Sequence, residues 1–190
     1  MSTNSDPKKS RLWLDGDGFR AATGTALTIG PEIFTGALTG FDAFGGIQAG
    51  FSINRDQQST DLTIWNAKGP YRNKKDEPVT TIAIRCVDQS KASVLTVLQG
   101  GSITTTGTAP DEVHEWVAGD DEEFQLLLNA VDPGYGSVAY YAERCTLNTT
   151  PSEVINDDAL FGWDFEIKVL APTGGGKPLR RFTLDNPLAP

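Results

Sequence analysis

The chain has 190 residues, a length that fits one domain with long loops or arms better than two full domains. Apolar residues make up 38% and cluster in short runs, which is enough for one packed core, while Gly 20 and Pro 11 point to many turns and few long helices. Lys+Arg 16 against Asp+Glu 25 gives a net charge of −9. That balance argues against a protein that grips nucleic acid, because phosphate binding relies on Lys and Arg displacing counterions.

Residues 1–10 are polar and read as a flexible N-terminal arm, with residues 11–190 as a single domain. Met1–Arg11 shows no apolar signal-peptide region and no stretch nears membrane-spanning length. The expectation is therefore a protein made in the cytoplasm, with no membrane partner. Arg11–Asp15 is a short strand candidate running into a tight turn at Asp15-Gly16-Asp17-Gly18. Residues 20–40, rich in Ala, Thr and Gly, offer little to pack and read as an extended loop. Phe41–Asn54 suits two short strands around a turn or bulge, given Gly45-Gly46 and Gly50. Leu62–Trp65 is another short strand, and residues 66–78 form a polar loop bracketed by Pro70 and Pro78.

The second half is more regular. In Val79–Val87, Ile82, Ile84 and Cys86 share one face and Thr81, Ala83 and Arg85 the other. Phe124–Asp132 places Phe124, Leu126, Leu128 and Ala130 on one side, and Val138–Thr150 is a long strand entered through Pro133-Gly134-Tyr135-Gly136. The cleanest alternation is Phe161–Val169, with Phe161, Trp163, Phe165, Ile167 and Val169 inward and Asp164, Glu166 and Lys168 opposite. A sheet with one wet face is the natural reading. One helix stands out at about residues 90–100: Ser90 is a good N-cap, Val94, Leu95 and Leu98 share a face, and Gly100-Gly101 provide a left-handed stop. The predicted fold class is mainly β, two packed antiparallel sheets forming a sandwich or barrel with one flanking α-helix and long loops.

Motifs that resemble chemistry dissolve on inspection. Asp15-Gly16-Asp17-Gly18 begins like a calcium loop, but that loop needs an oxygen ligand at its fifth position and a bidentate Glu at its twelfth. Here those places hold Phe19 and Ala26. Gly174-Gly175-Gly176-Lys177 looks like the end of a phosphate-binding loop, yet Ala171 stands where its first Gly belongs and Pro178 where its Ser/Thr belongs. A flexible hairpin tip fits better. His114, the single histidine, has no activated Ser or Cys beside it, and Asp120-Asp121-Glu122-Glu123 reads as a solvated acidic face. Cys86 and Cys145, each inside an apolar run, read as buried free thiols. The expectation is a non-enzyme without catalytic residues, cofactor or metal.

The order of segments carries more information than any motif. A short strand leads into "DGDGFRA" (Asp15–Ala21) and "ATGTALT" (Ala22–Thr28), followed by the glycine-broken apolar patch "FDAFGGIQAGFSI" (Phe41–Ile53). Next come "STDLTIWNAKGPYR" (Ser59–Arg72) and the strand and helix "PVTTIAIRCVDQSKASVLTVLQGG" (Pro78–Gly101), while "FGWDFEIKVLAP" (Phe161–Pro172) supplies a late strand. This succession resembles the major tail protein, the tail-tube subunit, of siphophages infecting actinobacteria, over at least residues 11–101. The resemblance implies a virion protein assembled in the host cytoplasm: hexameric rings stacked into a tube whose lumen conducts genomic DNA without binding it specifically. Its implied partners are further copies of itself, the tape-measure protein, and tail-tip and terminator proteins. It also implies that a long loop at about residues 55–78 reaches the next ring and that about residues 172–190 form a C-terminal arm.

Charge suggests how such rings would meet. Residues 68–75 carry Lys68, Arg72, Lys74 and Lys75 and no acid, a local +4; residues 111–123 carry Asp111, Glu112, Glu115, Asp120, Asp121, Glu122 and Glu123 and no Lys or Arg, a local −7. The expected inter-ring contact sets the basic group against Asp120, Asp121, Glu122 and Glu123; the plain alternative is two solvated loops that never meet. Other readings of the whole chain remain open at this point. It could be a tail terminator, a head–tail connector, or a carbohydrate-binding β-sandwich using Trp13, Trp65 and Trp116, Trp163 alternating with Phe161 and Phe165 as core.

Overall fold

A computed structural model describes residues 10–66 and 68–185. The expected N-terminal arm (but for Ser10) and the last five residues of the expected C-terminal arm lie outside the described residues. The chain is mainly β. Its elements are β1 (Gly18–Ala22), α1 (Glu32–Thr35), β2 (Asp42–Ala43), β3 (Ile47–Asp56), β4 (Ser59–Leu62), β5 (Arg72–Lys75), β6 (Val79–Cys86), α2 (Lys91–Leu98), β7 (Ser102–Thr106), β8 (Val113–Val117), β9 (Phe124–Asp132), β10 (Gly136–Leu147), β11 (Ser152–Val154), β12 (Gly162–Val169) and β13 (Leu179–Thr183). Nine strands form one antiparallel sheet in the order β2-β1-β9-β10-β12-β6-β3, with β11 on β12 and β13 on β10. The pairs β4–β5 and β7–β8 are separate two-stranded sheets.

Two layers arise from this one sheet because β10 serves both. Val138–Ala142 pairs with β9 on one side and β13 on the other, and after a register shift at residues 142–145 the strand continues as Cys145–Leu147 paired with β12. The inner faces of the two halves then meet in a shared core. Phe124, Leu126 and Leu128 of β9 lie in one cluster with Ile82, Ile84 and Cys86 of β6 and Trp163, Phe165 and Ile167 of β12. The rings of Phe51 and Tyr140 touch edge to face across the layers at 6.1 Å, and Phe44, from the β2–β3 connection, lies 6.1 Å from Phe165. The sheet does not close into a barrel. Between β3 and the β1–β9 side remains a cleft of about 740 Å³, lined by residues including Trp13, Ile47, Phe51, Ile53 and Tyr140.

The period-two patterns of the sequence hold where one face is wet. Along β6 and β12 the residues expected inside are buried, and Thr81, Ala83, Arg85, Asp164, Glu166 and Lys168 face outward. The other layer departs from that reading, because it is covered on both sides. Leu127, Ala139 and Tyr141 point away from the main core into a second cluster with Phe19 and Ile33, against which Leu27, Phe34, Leu38 and Phe41 pack. The segment read as a loop with little to pack is thus a lid on β9 and β10. Ile33, on the single turn of α1, is 1% exposed, a burial that contributes about 1.5–3 kcal/mol. Asn129 on β9 reaches the same lid, its Nδ2 donating to the Ile33 carbonyl at 3.4 Å.

Other local expectations shift in register. Asp15–Gly18 is not a tight turn but an extended run alongside β9: Asp15 bridges Val131, and the Asn129 amide donates to the Asp17 carbonyl at 2.9 Å. Gly174–Gly176 is not a hairpin tip, since β12 and β13, which it connects, both pair with β10 rather than with each other. The helix α2 begins as expected, with Ser90 Oγ accepting from the Ser93 amide at 3.2 Å. Its left-handed turn starts one residue early, at Gln99 (φ 47°), and its buried face is Ala92, Ser93, Thr96 and Leu98 rather than Val94, Leu95 and Leu98. Small residues there let the helix approach β2 closely, and Ser93 Oγ donates to the Phe44 carbonyl at 3.3 Å. Cys86 and Cys145 are buried free thiols.

Candidate functional site

Two hairpins stand out from the layered body. The first extends the edge of the sheet. Strands β3 and β6 pair as far as Asp56 and Val79, the Asp76 amide donates to the Gln58 carbonyl at 2.9 Å, and β4 and β5 carry the ladder on from Ser59–Lys75 to Leu62–Arg72. Residues 57–62, at about 3.3 Å each, lengthen the ribbon by roughly 20 Å beyond the body. Every residue of β4 and β5 is exposed. Cross-strand chemistry supports the arm: Asn73 Nδ2 donates to Asp61 Oδ1 at 2.6 Å, and Gln57 Nε2 donates to the Asp76 carbonyl at 2.9 Å. At its end Trp65 is fully exposed, Tyr71 largely so, and Leu62 and Ile64 nearly half so. The sequence pattern predicts a strand at Leu62–Trp65 and a loop at 66–78; the strand lies earlier and the loop contains its partner.

The second hairpin, β7–β8, rises from the end of α2. The Leu98 carbonyl accepts from the amides of both Gly101 (2.8 Å) and Gly119 (2.7 Å), so the end of the helix clamps the base of the hairpin. The backbones approach so closely there that a Cβ on Gly101 or Gly119 would overlap the facing chain. Both strands are exposed throughout, and Val113, Trp116, Val117 and Ile103 have no core to join. His114 sits on this arm, exposed, with its Nδ1 2.9 Å from Thr105 Oγ1. This hairpin was not anticipated from the sequence. The β-branched run Ile103–Thr106, ended by Gly107 and followed by Pro110-Asp111, is the signal that marks it.

The charged residues expected to meet between rings divide into two kinds. Lys68 lies at the end of the first hairpin and Arg72, Lys74 and Lys75 lie on β5, all exposed; Lys74 Nζ is 3.5 Å from Asp76 Oδ1. Asp120 and Asp121 are exposed at the foot of the second hairpin, where Asp121 accepts from Thr146 Oγ1. Glu122 and Glu123 instead turn into the subunit. Glu122 pairs with Arg20 at 2.6 Å and accepts from the Gly100 amide at 3.1 Å. Glu123 takes two hydrogen bonds from Arg144, at 2.5 and 2.8 Å, which hold its carboxyl below the usual carboxylate range. The Arg20 side chain is 4% exposed and stacks over the Phe124 ring at 4.8 Å; burial, offset by Glu122, lowers its pKa. Those two acids therefore fasten β9 to β1, α2 and β10, and the acids left for a neighbour are Asp111, Glu112, Glu115, Asp120 and Asp121.

Aromatic residues are similarly divided. Trp163 is 2% exposed and donates from Nε1 to Glu153 Oε1 at 2.8 Å, while Trp65 and Trp116 occupy the two hairpins and Trp13 borders the cleft. No single face gathers them. Among the described residues no helix is long and apolar enough to cross a membrane. No protein-family model matches the chain, and no curated protein matches it.

Proposed function

We propose that this chain is a structural subunit of a siphophage tail tube, built to assemble with copies of itself into stacked hexameric rings around a DNA-conducting lumen. The observation that carries the reading is the pair of hairpins solvated on both faces. A lone two-stranded hairpin is marginal in water, and these two display Trp65, Tyr71, Val113, Trp116 and Val117 to solvent. Such arms suit a protein whose folded unit is completed by neighbours. The ten-residue edge strand β3, exposed along most of its length and paired among the described residues on its β6 side, likewise offers an edge that a neighbouring sheet would satisfy.

The acidic balance fits the same role. A subunit of net charge −9 can present a wall that repels phosphate, so that DNA, preceded by the tape-measure protein, slides without sticking. In this reading the protein is a passive conduit of the virion and needs no cofactor or catalytic residue.

Negative-stain electron microscopy of the purified chain, at rising concentration, tests the reading. Tubes or stacked rings are the expected result. Rings that never stack would point to a terminator or connector, and a persistent monomer that binds glycans would point to a carbohydrate-binding module.

A further inference from the structure

We infer that the β4–β5 hairpin of one copy seats on the β7–β8 hairpin of another, the face bearing Leu62, Arg72 and Lys74 lying against the face bearing Val113, Glu115 and Val117. The inference rests on the tube reading in one respect, that the partner is a second copy of this chain.

Strand registers define the two faces. In β4–β5, Leu62 is opposite Arg72 and Thr60 opposite Lys74, so these four side chains share one side of the ribbon; Asn73, Asp61, Lys75 and Ser59 share the other. In β7–β8, Val113, Glu115 and Val117 are opposite Thr106, Thr104 and Ser102, and the other side holds His114, Trp116, Thr105 and Ile103. Each contact face thus mixes apolar groups with charge of a single sign. On the first arm, residues 68–75 carry four cations and no acid; on the second, residues 111–117 carry Asp111, Glu112 and Glu115 and no Lys or Arg.

Charge already committed inside the subunit sharpens the choice. Glu122 and Glu123 are held by Arg20 and Arg144, which leaves Asp120 and Asp121 at the foot of the hairpin and shifts the weight of available acid toward Asp111, Glu112 and Glu115 on the hairpin itself. Across the gap, Lys74 is engaged among the described residues by Asp76 at 3.5 Å, with both side chains about half exposed or more, and exposed pairs of this kind contribute little. Apolar side chains add what charge alone lacks, since Leu62, Val113 and Val117 are all about half exposed or more and lose water on contact.

The two faces differ from each other, so the contact is heterologous: every copy that receives an arm still has its own arm to offer. Such contacts propagate head to tail instead of closing a dimer. Attraction between opposite charges also steers approach and fixes register more than it adds affinity.

Two charge-reversed proteins test this, one with Arg72→Glu and Lys74→Glu, the other with Glu115→Lys. Sedimentation velocity and negative-stain microscopy read assembly, and thermal melts matching the unaltered chain certify the fold. Each reversed protein alone should stay unassembled, because its two contact faces then carry charge of one sign. An equimolar mixture should assemble, because each supplies what the other lost. Assembly of the unaltered chain should weaken toward about 1 M salt, where the Debye length is about 3 Å. The milder Glu115→Gln should reduce assembly without abolishing it. If either reversed protein assembles as well as the unaltered chain, or the mixture stays apart, the hairpin pairing is wrong while the tube reading stands. An unaltered chain that remains monomeric at every concentration overturns both.

Discussion

Arg144 grips Glu123 with two nearly parallel hydrogen bonds, Nε to Oε2 at 2.8 Å and Nη2 to Oε1 at 2.5 Å, at the bend where β10 passes from one layer to the other. Its remaining nitrogen donates to the Ala171 carbonyl at 2.9 Å. One guanidinium therefore ties the entry of β9 and the exit of β12 to β10.

That fork makes stability depend on acid. The hydrogen bond from Arg144 depresses the Glu123 pKa in the folded state. Its contribution is present above the unfolded carboxylate value of about 4.3 and is lost as pH falls through the lower folded value. Urea midpoints of the wild type and Glu123→Gln should differ near neutral pH and converge in acid. A difference that stays constant between about pH 7 and about pH 3 would assign the effect to something other than ionisation.

Glu122 should matter more than its neighbour Asp120. Removing it strands Arg20, whose Nε already has no hydrogen-bond partner among the described residues. Glu122→Ala should cost roughly 2–3 kcal/mol, because a buried cation loses its counter-charge. Asp120→Ala, at an exposed position, should stay within about 0.5 kcal/mol. Equal melting temperatures for the two variants would show that Arg20 finds other compensation.

The lid over β9 is a second core, and it should behave as one. Ile33→Ala should cost roughly 2–5 kcal/mol despite lying on one turn of helix. A chemical-denaturation shift no larger than that of an exposed substitution would show the lid to be dispensable.

Neither thiol should react in the native protein. Burial pushes the Cys86 thiol up to about 12 and raises that of Cys145 further above its ordinary value. Near neutral pH almost no thiolate forms, and the sulfurs lack access. Maleimide should label neither site in buffer and both in denaturant; fast native labelling would mean the core opens readily.

Shortening the first hairpin should separate folding from assembly. Replacing residues 63–71 with a two-residue Asn-Gly turn leaves every buried side chain untouched, so the melt should shift little. Loss of self-assembly in the same protein would place the arm's role outside the subunit. A large fall in melting temperature would contradict the exposure of Trp65 and Tyr71.

Where the sequence spoke clearly, one physical rule dominated. Period-two alternation marked β6 and β12 because a single face of each is buried, and Ser90 with the Gly100 region bounded α2 because capping is local. The lid was hidden because its apolar residues, Leu27, Ile33, Phe34, Leu38 and Phe41, follow no strand or helix period and make sense only against Leu127 and Tyr141. Register lay beyond reach at Asp15–Gly18, where Asp and Gly spell a turn but the partner strand holds the chain extended. The charged groups were visible as runs of like sign. Which acids face outward depended on Arg20 and Arg144, which are 102 and 21 residues away from Glu122 and Glu123.

A strand that belongs to both layers leaves the molecule without a seam. Peeling one layer from the other means tearing β10 from β9 and β13 on one side of its bend or from β12 on the other. No half of the chain keeps a complete set of ladder bonds once cut from the rest, so neither half should survive as a folded fragment. In the proposed tube, pulled lengthwise, strain entering through the first hairpin would be handed along β3 and β6 and through β12 to this shared strand and spread over the whole body rather than collecting at one weak plane.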